Sequence, residues 1–190
     1  MIAIFAVLAF YIGLSGVWAF IGTIASAAGI GPESTGAILA IASLLGIVGS
    51  LTATLVGSRL PRTISLVLGY GGMTGAVAAL LGAPGLVRFA LAAFVFKLVR
   101  TYVLPYILAS VADLDTDGRL MGTTNLVIGG GLAIDAAVAG QLLERSGAPT
   151  AMLTASIAFL ILSFLLINLS RFSATSSTPD RSLRAMTAQE

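Results

Sequence analysis

The chain has 190 residues, of which 57% are hydrophobic and 9% charged, with a mean hydropathy of +1.04. A soluble domain carries about a quarter charged residues, so the dominant solvent of this chain is not water. A net charge of only +2, with no Lys/Arg-rich patch, argues against a nucleic-acid partner, and a chain without cysteine or histidine forms no disulfide, no Cys/His zinc site and no thiol catalyst.

No charge precedes Glu33, and residues 3–28 read as a first membrane span, since about 20 apolar residues cross a bilayer core. Ala25, Ser26 and Ala27 have the A-x-A form of a signal cleavage site. The apolar stretch before them lacks a basic flank and exceeds the ~7–15 residues of a signal core, so a retained span is expected. Within it Tyr11, Ser15, Trp18, Gly22 and Ser26 recur at helical spacing as a polar and aromatic stripe. Such a stripe points to a cavity lining; interfacial anchoring of tyrosine and tryptophan is the alternative. "GLSG" (13–16) matches the G-x-S-G signature of rhomboid intramembrane proteases, but their chemistry needs a histidine to take the serine proton.

"GIGPES" (29–34) starts the second span, 35–58, with Pro32 and Glu33 suited to a helix start. "RLPR" (59–62) leads to the third, 64–81, and "GAPG" (82–85) closes it. Ala42, Gly46, Ser50 and Thr54 recur every fourth residue in the second span, as do Gly71, Gly75 and Ala79 in the third. Small residues at this spacing let helix backbones approach in lipid.

The fourth span, 86–112, carries Lys97 and Arg100, which share a helix face, and Pro105, which is expected to kink it or free carbonyls. The fifth, 120–143, carries Asp135 and is expected to be interrupted by Gly129, Gly130 and Gly131. At ~1.5 Å per residue, Lys97 and Asp135 both lie ~22 Å from the surface that the two spans share. A charge at bilayer depth costs at least ~2.5–3.5 kcal/mol and normally faces a protein interior or a wetted cavity. Two readings follow: a site for an anionic or polar solute with a proton-coupled Asp135, or a structural Lys97–Asp135 ion pair. Arg100 has no evident carboxylate partner, and Arg88 is placed to snorkel near a span end.

Between these spans, "DLDTDGR" (113–119) opens like a calcium-binding EF-hand loop. Its twelfth position, which requires a glutamate, is Thr124, so a hydrated hairpin is expected instead. "ERSGAP" (144–149) leads to the sixth span, 150–170, and the Ser/Thr-rich residues 171–190 read as a disordered tail. Arg59, Arg62, Arg119, Arg171, Arg181 and Arg184 fall on one side of the membrane, Arg88 and Arg145 on the other. That bias places the first side, the tail and both termini in the cytoplasm. The expected fold is therefore an all-α membrane protein of six transmembrane helices in an inner membrane.

Residues 1–170 resemble the C-terminal six-helix half of a major facilitator superfamily (MFS) transporter. The likeness rests on the "DGRLMG" turn (117–122), the small-residue helix "GGGLAIDAAVAGQLL" (129–143) and the basic turn "GSRLPR" (57–62), which lacks the Asp and second Gly of the fuller family pattern. The resemblance implies an inverted three-plus-three helix repeat, with the first and fourth spans lining a midplane site. Those spans bear Tyr11, Ser15, Trp18, Lys97 and Arg100. Family members have about twice this many helices, so the chain reads as a truncated or split half, or one that encloses its site with a second copy of itself. The expected function is transport of a small solute by alternating access, without cofactor or enzymatic step, since no phosphate-binding loop is present. The alternative is a non-transporting membrane scaffold or remnant.

Overall fold

The computed structural model describes residues 2–57, 59–113, 119–147 and 149–176, and among these all regular structure is helical. The helices are α1 (Ile2–Ala19), α2 (Ile21–Ala27), α3 (Pro32–Val56), α4 (Arg62–Ala79), α5 (Leu86–Ala112), α6 (Arg119–Ser146) and α7 (Thr150–Ser176). Their ends follow local chemistry. At the end of α2, Gly29 takes φ 74°, and the Ile30 N–H reaches the Ala25 carbonyl at 2.9 Å, a Schellman closure that favours glycine. Pro32 opens α3 where its missing N–H has no helical partner to lose, and Gly57, at φ 44°, ends it.

The helices alternate in direction. One end of the bundle gathers the close of α2, the 80–84 turn and the α6–α7 junction around a cavity of about 290 Å³. The opposite end gathers the α3–α4 turn and the close of α5, where Arg62 pairs with Asp113. α1 packs extensively on α6 and α7, α5 on α3 and α4, and α4 on α7. Phe10, Leu14, Phe89 and Phe96 are fully buried between them. Three hydroxyl chains tie the helices: Tyr102 donates to Ser65 at 3.1 Å, Tyr106 to the Ala53 carbonyl at 3.3 Å, and Ser163 to the Ala6 carbonyl at 2.7 Å. Because Ser163 spends its only proton on Ala6, Tyr70 is the donor in the 2.7 Å Tyr70–Ser163 bond.

The outer faces are apolar. Leu44, Leu55, Leu126 and Leu165 stand exposed, Leu55 at 72% and Leu126 at 77%. α3, α5, α6 and α7 are each long and apolar enough to cross a membrane, and the bent α1–α2 pair makes a fifth crossing if it is one span. This is the architecture of an all-α, multi-pass membrane protein.

Several expectations change. The first span is not straight: its axis turns by 50° where Phe20 leaves helical geometry (φ −103°, ψ 15°). Apolar composition sets how far a segment reaches, not whether its axis is straight. α4 runs between the same two ends, but it begins on Arg62 and carries Gly69, Gly71, Gly72 and Gly75. It is too weakly apolar to count as a crossing on composition. α6 continues unbroken through Gly129, Gly130 and Gly131; α5 also continues through Pro105, whose missing N–H leaves the Thr101 carbonyl without its ladder bond, as expected. α7 extends to Ser176, into the expected tail; residues 177–190 of that tail, and 114–118 of the aspartate-rich hairpin, lie outside the described residues.

The packing seams also differ from the four-residue ladders. On α3 the buried small residues are Ala42, Gly46, Gly49 and Ala53, whereas Ser50 and Thr54 are exposed. A step of four advances ~40° beyond a full turn at ~3.6 residues per turn, so a strict ladder rotates off the contact face. The exposed hydroxyls bond back to their own helix, Ser50 to the Ile47 carbonyl and Thr54 to that of Ser50. On α4, a side chain at Gly69 would strike Val103 of α5 and one at Gly72 would press on Val99, while Gly71 and Gly75 face open space.

Candidate functional site

α1 supplies both the wall of the site and a backbone donor. "GLSG" is a double notch. A Cβ at Gly13 would sit 3.0 Å from the Phe159 Cβ of α7, and one at Gly16 would sit 2.8 Å from the Ala139 Cβ of α6. Through the Gly16 notch the carboxylate of Asp135 reaches α1 and accepts the Gly16 backbone N–H. Asp135 is 4% exposed, so this bond answers part of the cost of burying an acceptor. Gly131, one turn earlier on α6, lets Tyr11 approach in the same way: a Cβ there would lie 3.0 Å from the Tyr11 Cβ.

α5 brings the cations. The Lys97 stem lies in the Gly46 notch of α3, where a Cβ would be 3.3 Å from its Cγ and Cε. Its ammonium sits over the Trp18 ring of α1, 4.1 Å from the centroid, a cation–π contact. Trp18 stacks on Phe96 with ring centroids 6.2 Å apart and planes within 5°. Arg100, about one turn further along α5, has Tyr11 and Asp135 as its charge-interacting neighbours. Lys97 in turn feels Arg100.

The six expected site residues thus gather on α1, α5 and α6, but not as expected. Lys97 and Asp135 form no ion pair; among the described residues the ion pair within 4.0 Å is Arg62–Asp113. Asp135 is held by the Gly16 N–H, and Lys97 is drawn to the Trp18 face, so Arg100 is the cation that senses Asp135. Arg100 makes no ion pair within 4.0 Å among the described residues, although Asp135 acts on its charge. Ser15 donates to the Tyr11 carbonyl of its own helix at 2.9 Å, which satisfies its hydroxyl locally and offers no base to activate it. The stripe on the first span is divided: Tyr11, Ser15 and Trp18 stay with the site, while Gly22 and Ser26 lie beyond the bend and are exposed. Gly16, Gly46 and Phe96 were not singled out as site residues from sequence. A glycine that lends its N–H, or yields space, to a side chain on another helix leaves no mark in the residue string beyond being a glycine.

What the arrangement can do follows from its charges. Two cations stand against one carboxylate, and that carboxylate is committed to α1 by the Gly16 N–H. No nitrogen of Lys97 or Arg100 is both fully buried and without a hydrogen-bond partner, so their unpaired donors remain reachable. Compared with known families and with curated proteins, the chain matches no family model and no curated sequence.

Proposed function

We propose that this chain is half of an MFS-type secondary transporter that moves a small solute by alternating access past Lys97, Arg100 and Asp135. The observation that carries the reading is the convergence of these three ionisable side chains, from two helices, on the Tyr11–Trp18 face of a third. Ionisable groups held inward at bilayer depth mark solute and ion pathways.

The packing pattern supports the six-span repeat. With α1–α2, α3, α4, α5, α6 and α7 numbered as spans one to six, exchange of span n with span n + 3 preserves every extensive contact. α1 on α6 and α7 becomes α5 on α3 and α4, and the α4–α7 contact maps onto itself. Because neighbouring spans run in opposite directions, that exchange also turns each span over, as in an inverted repeat. In this reading α4 is the third crossing despite its weak hydropathy, sheltered by α5 and α7. A facing six-helix half, from a second copy or another chain, completes the cavity. The membrane is the inner membrane and the arginine-rich end is cytoplasmic.

The absence of cysteine gives a direct test. Ser15→Cys is exposed to a membrane-impermeant maleimide in right-side-out and inside-out vesicles. Alternating access predicts labelling from both sides. Labelling from one side alone, or from neither, rejects transport. The Gly16–Asp135 bond favours a second reading, a scaffold in which Asp135 only fastens α6 to α1. Asp135→Asn keeps an acceptor for the Gly16 N–H but removes the charge. In a transporter this substitution keeps the fold and abolishes two-sided labelling; a scaffold keeps its fold and shows no two-sided labelling with either residue.

A further inference from the structure

Resting on the transport reading of this face, we propose that its ligand is a small organic anion with an apolar body. The anionic group docks between Lys97 and Arg100, and the body lies along the half-buried Trp18, which the buried Phe96 backs. Charge selects the class. Lys97 and Arg100 are three residues apart on one face of α5, and neither makes an ion pair within 4.0 Å among the described residues. Asp135 is nine-tenths buried and turned into the Gly16 notch, so an incoming group meets the two cations rather than the carboxylate.

A cationic ligand would face two like charges with the carboxylate already engaged. A neutral one would leave the net single positive charge of Lys97, Arg100 and Asp135 unanswered at bilayer depth, a costly state. An anion answers both cations with charge-assisted bonds. The Trp18 ring beside the ammonium, backed by the buried Phe96, makes one wall apolar. Bare inorganic ions do not exploit that wall, whereas an aromatic or branched carboxylate does.

Trp18 is the sole tryptophan of the chain, and the Lys97 ammonium lies 4.1 Å from its ring centroid. Its emission therefore reports any ligand that draws the ammonium away. The full chain in lipid nanodiscs is titrated with benzoate, benzamide and benzylamine, which share a ring and differ in charge. Benzoate is expected to shift Trp18 emission saturably, with no saturable response to the other two. Lys97→Gln and Arg100→Gln should each weaken the benzoate response about tenfold or more, as expected for loss of a hydrogen bond to a charged group. Lys97→Arg should largely restore it. Saturation by benzylamine or benzamide to the same degree overturns the anion assignment, as does the absence of a saturable benzoate response. The three-ligand comparison needs no variant, so a misfolded substitution does not shield the proposal. Two-sided labelling of Ser15→Cys without a benzoate response sinks the ligand class and leaves transport standing. A benzoate response without two-sided labelling does the reverse.

Discussion

Gly16 matters because of what it lacks. Alanine at this position would place a methyl 2.8 Å from the Ala139 Cβ and 2.9 Å from Asp135 Oδ1. Either α6 withdraws from α1 or the carboxylate loses its backbone donor. Gly16→Ala is therefore expected to destabilise the fold by about 1–3 kcal/mol, read as a lower midpoint of unfolding in mixed micelles. Gly22→Ala meets nothing within 4 Å and serves as the silent control. Tyr70→Phe removes the donor to Ser163 while Ser163 keeps its bond to Ala6, so a loss of about 1 kcal/mol is expected by the same measurement. At this scale Lys97, Arg100 and Asp135 are legible in the sequence because ionisable groups stand out in apolar surroundings whatever they touch. The Lys97–Asp135 ion pair, one of the two readings the sequence left open, does not form, because equal distance along two helices says nothing about which way either helix is rotated.

Helix existence was legible because charge-free runs and Pro/Gly punctuation depend on local residues alone. Pro32, Pro61 and Gly85 all sit at helix starts, as Pro61 and Gly85 cap α4 and α5 and Pro32 opens α3. Which small residues form a seam was less legible, since it depends on helix rotation and on the neighbour's side chains. The seam of α3 against α5 is closest at Gly49, where a Cβ would lie 2.2 Å from the Leu98 carbonyl oxygen, a backbone atom with no freedom to step aside. Gly49→Ala is thus expected to separate α3 from α5, with a loss of more than about 2 kcal/mol. Gly75→Ala on α4 meets open space and should be neutral or gain up to about 1 kcal/mol from helix propensity. Comparing the two unfolding midpoints checks this; equal loss at both positions would show that the α3–α5 approach is wrong.

At the scale of the whole molecule, the alternation of helix direction puts Arg59 and Arg62 at one end and Arg88 and Arg145 at the other. With the arginine-rich end in the cytoplasm, a reporter enzyme fused after residue 60 is expected to score as cytoplasmic and one fused after residue 84 as external. The reverse pattern would invert the proposed orientation, and identical scores at the two positions would remove α4 as a crossing. The residue string alone determined that this chain is a membrane protein of packed helices with three ionisable groups at depth, because composition decides the solvent and charge-free length decides the spans. Tertiary structure decided the bend at Phe20, the seams chosen from many candidate glycines, and the partner of each charge. Those outcomes depend on how one helix is rotated against another, and that rotation is set by side chains far apart in the chain that meet only when the bundle closes.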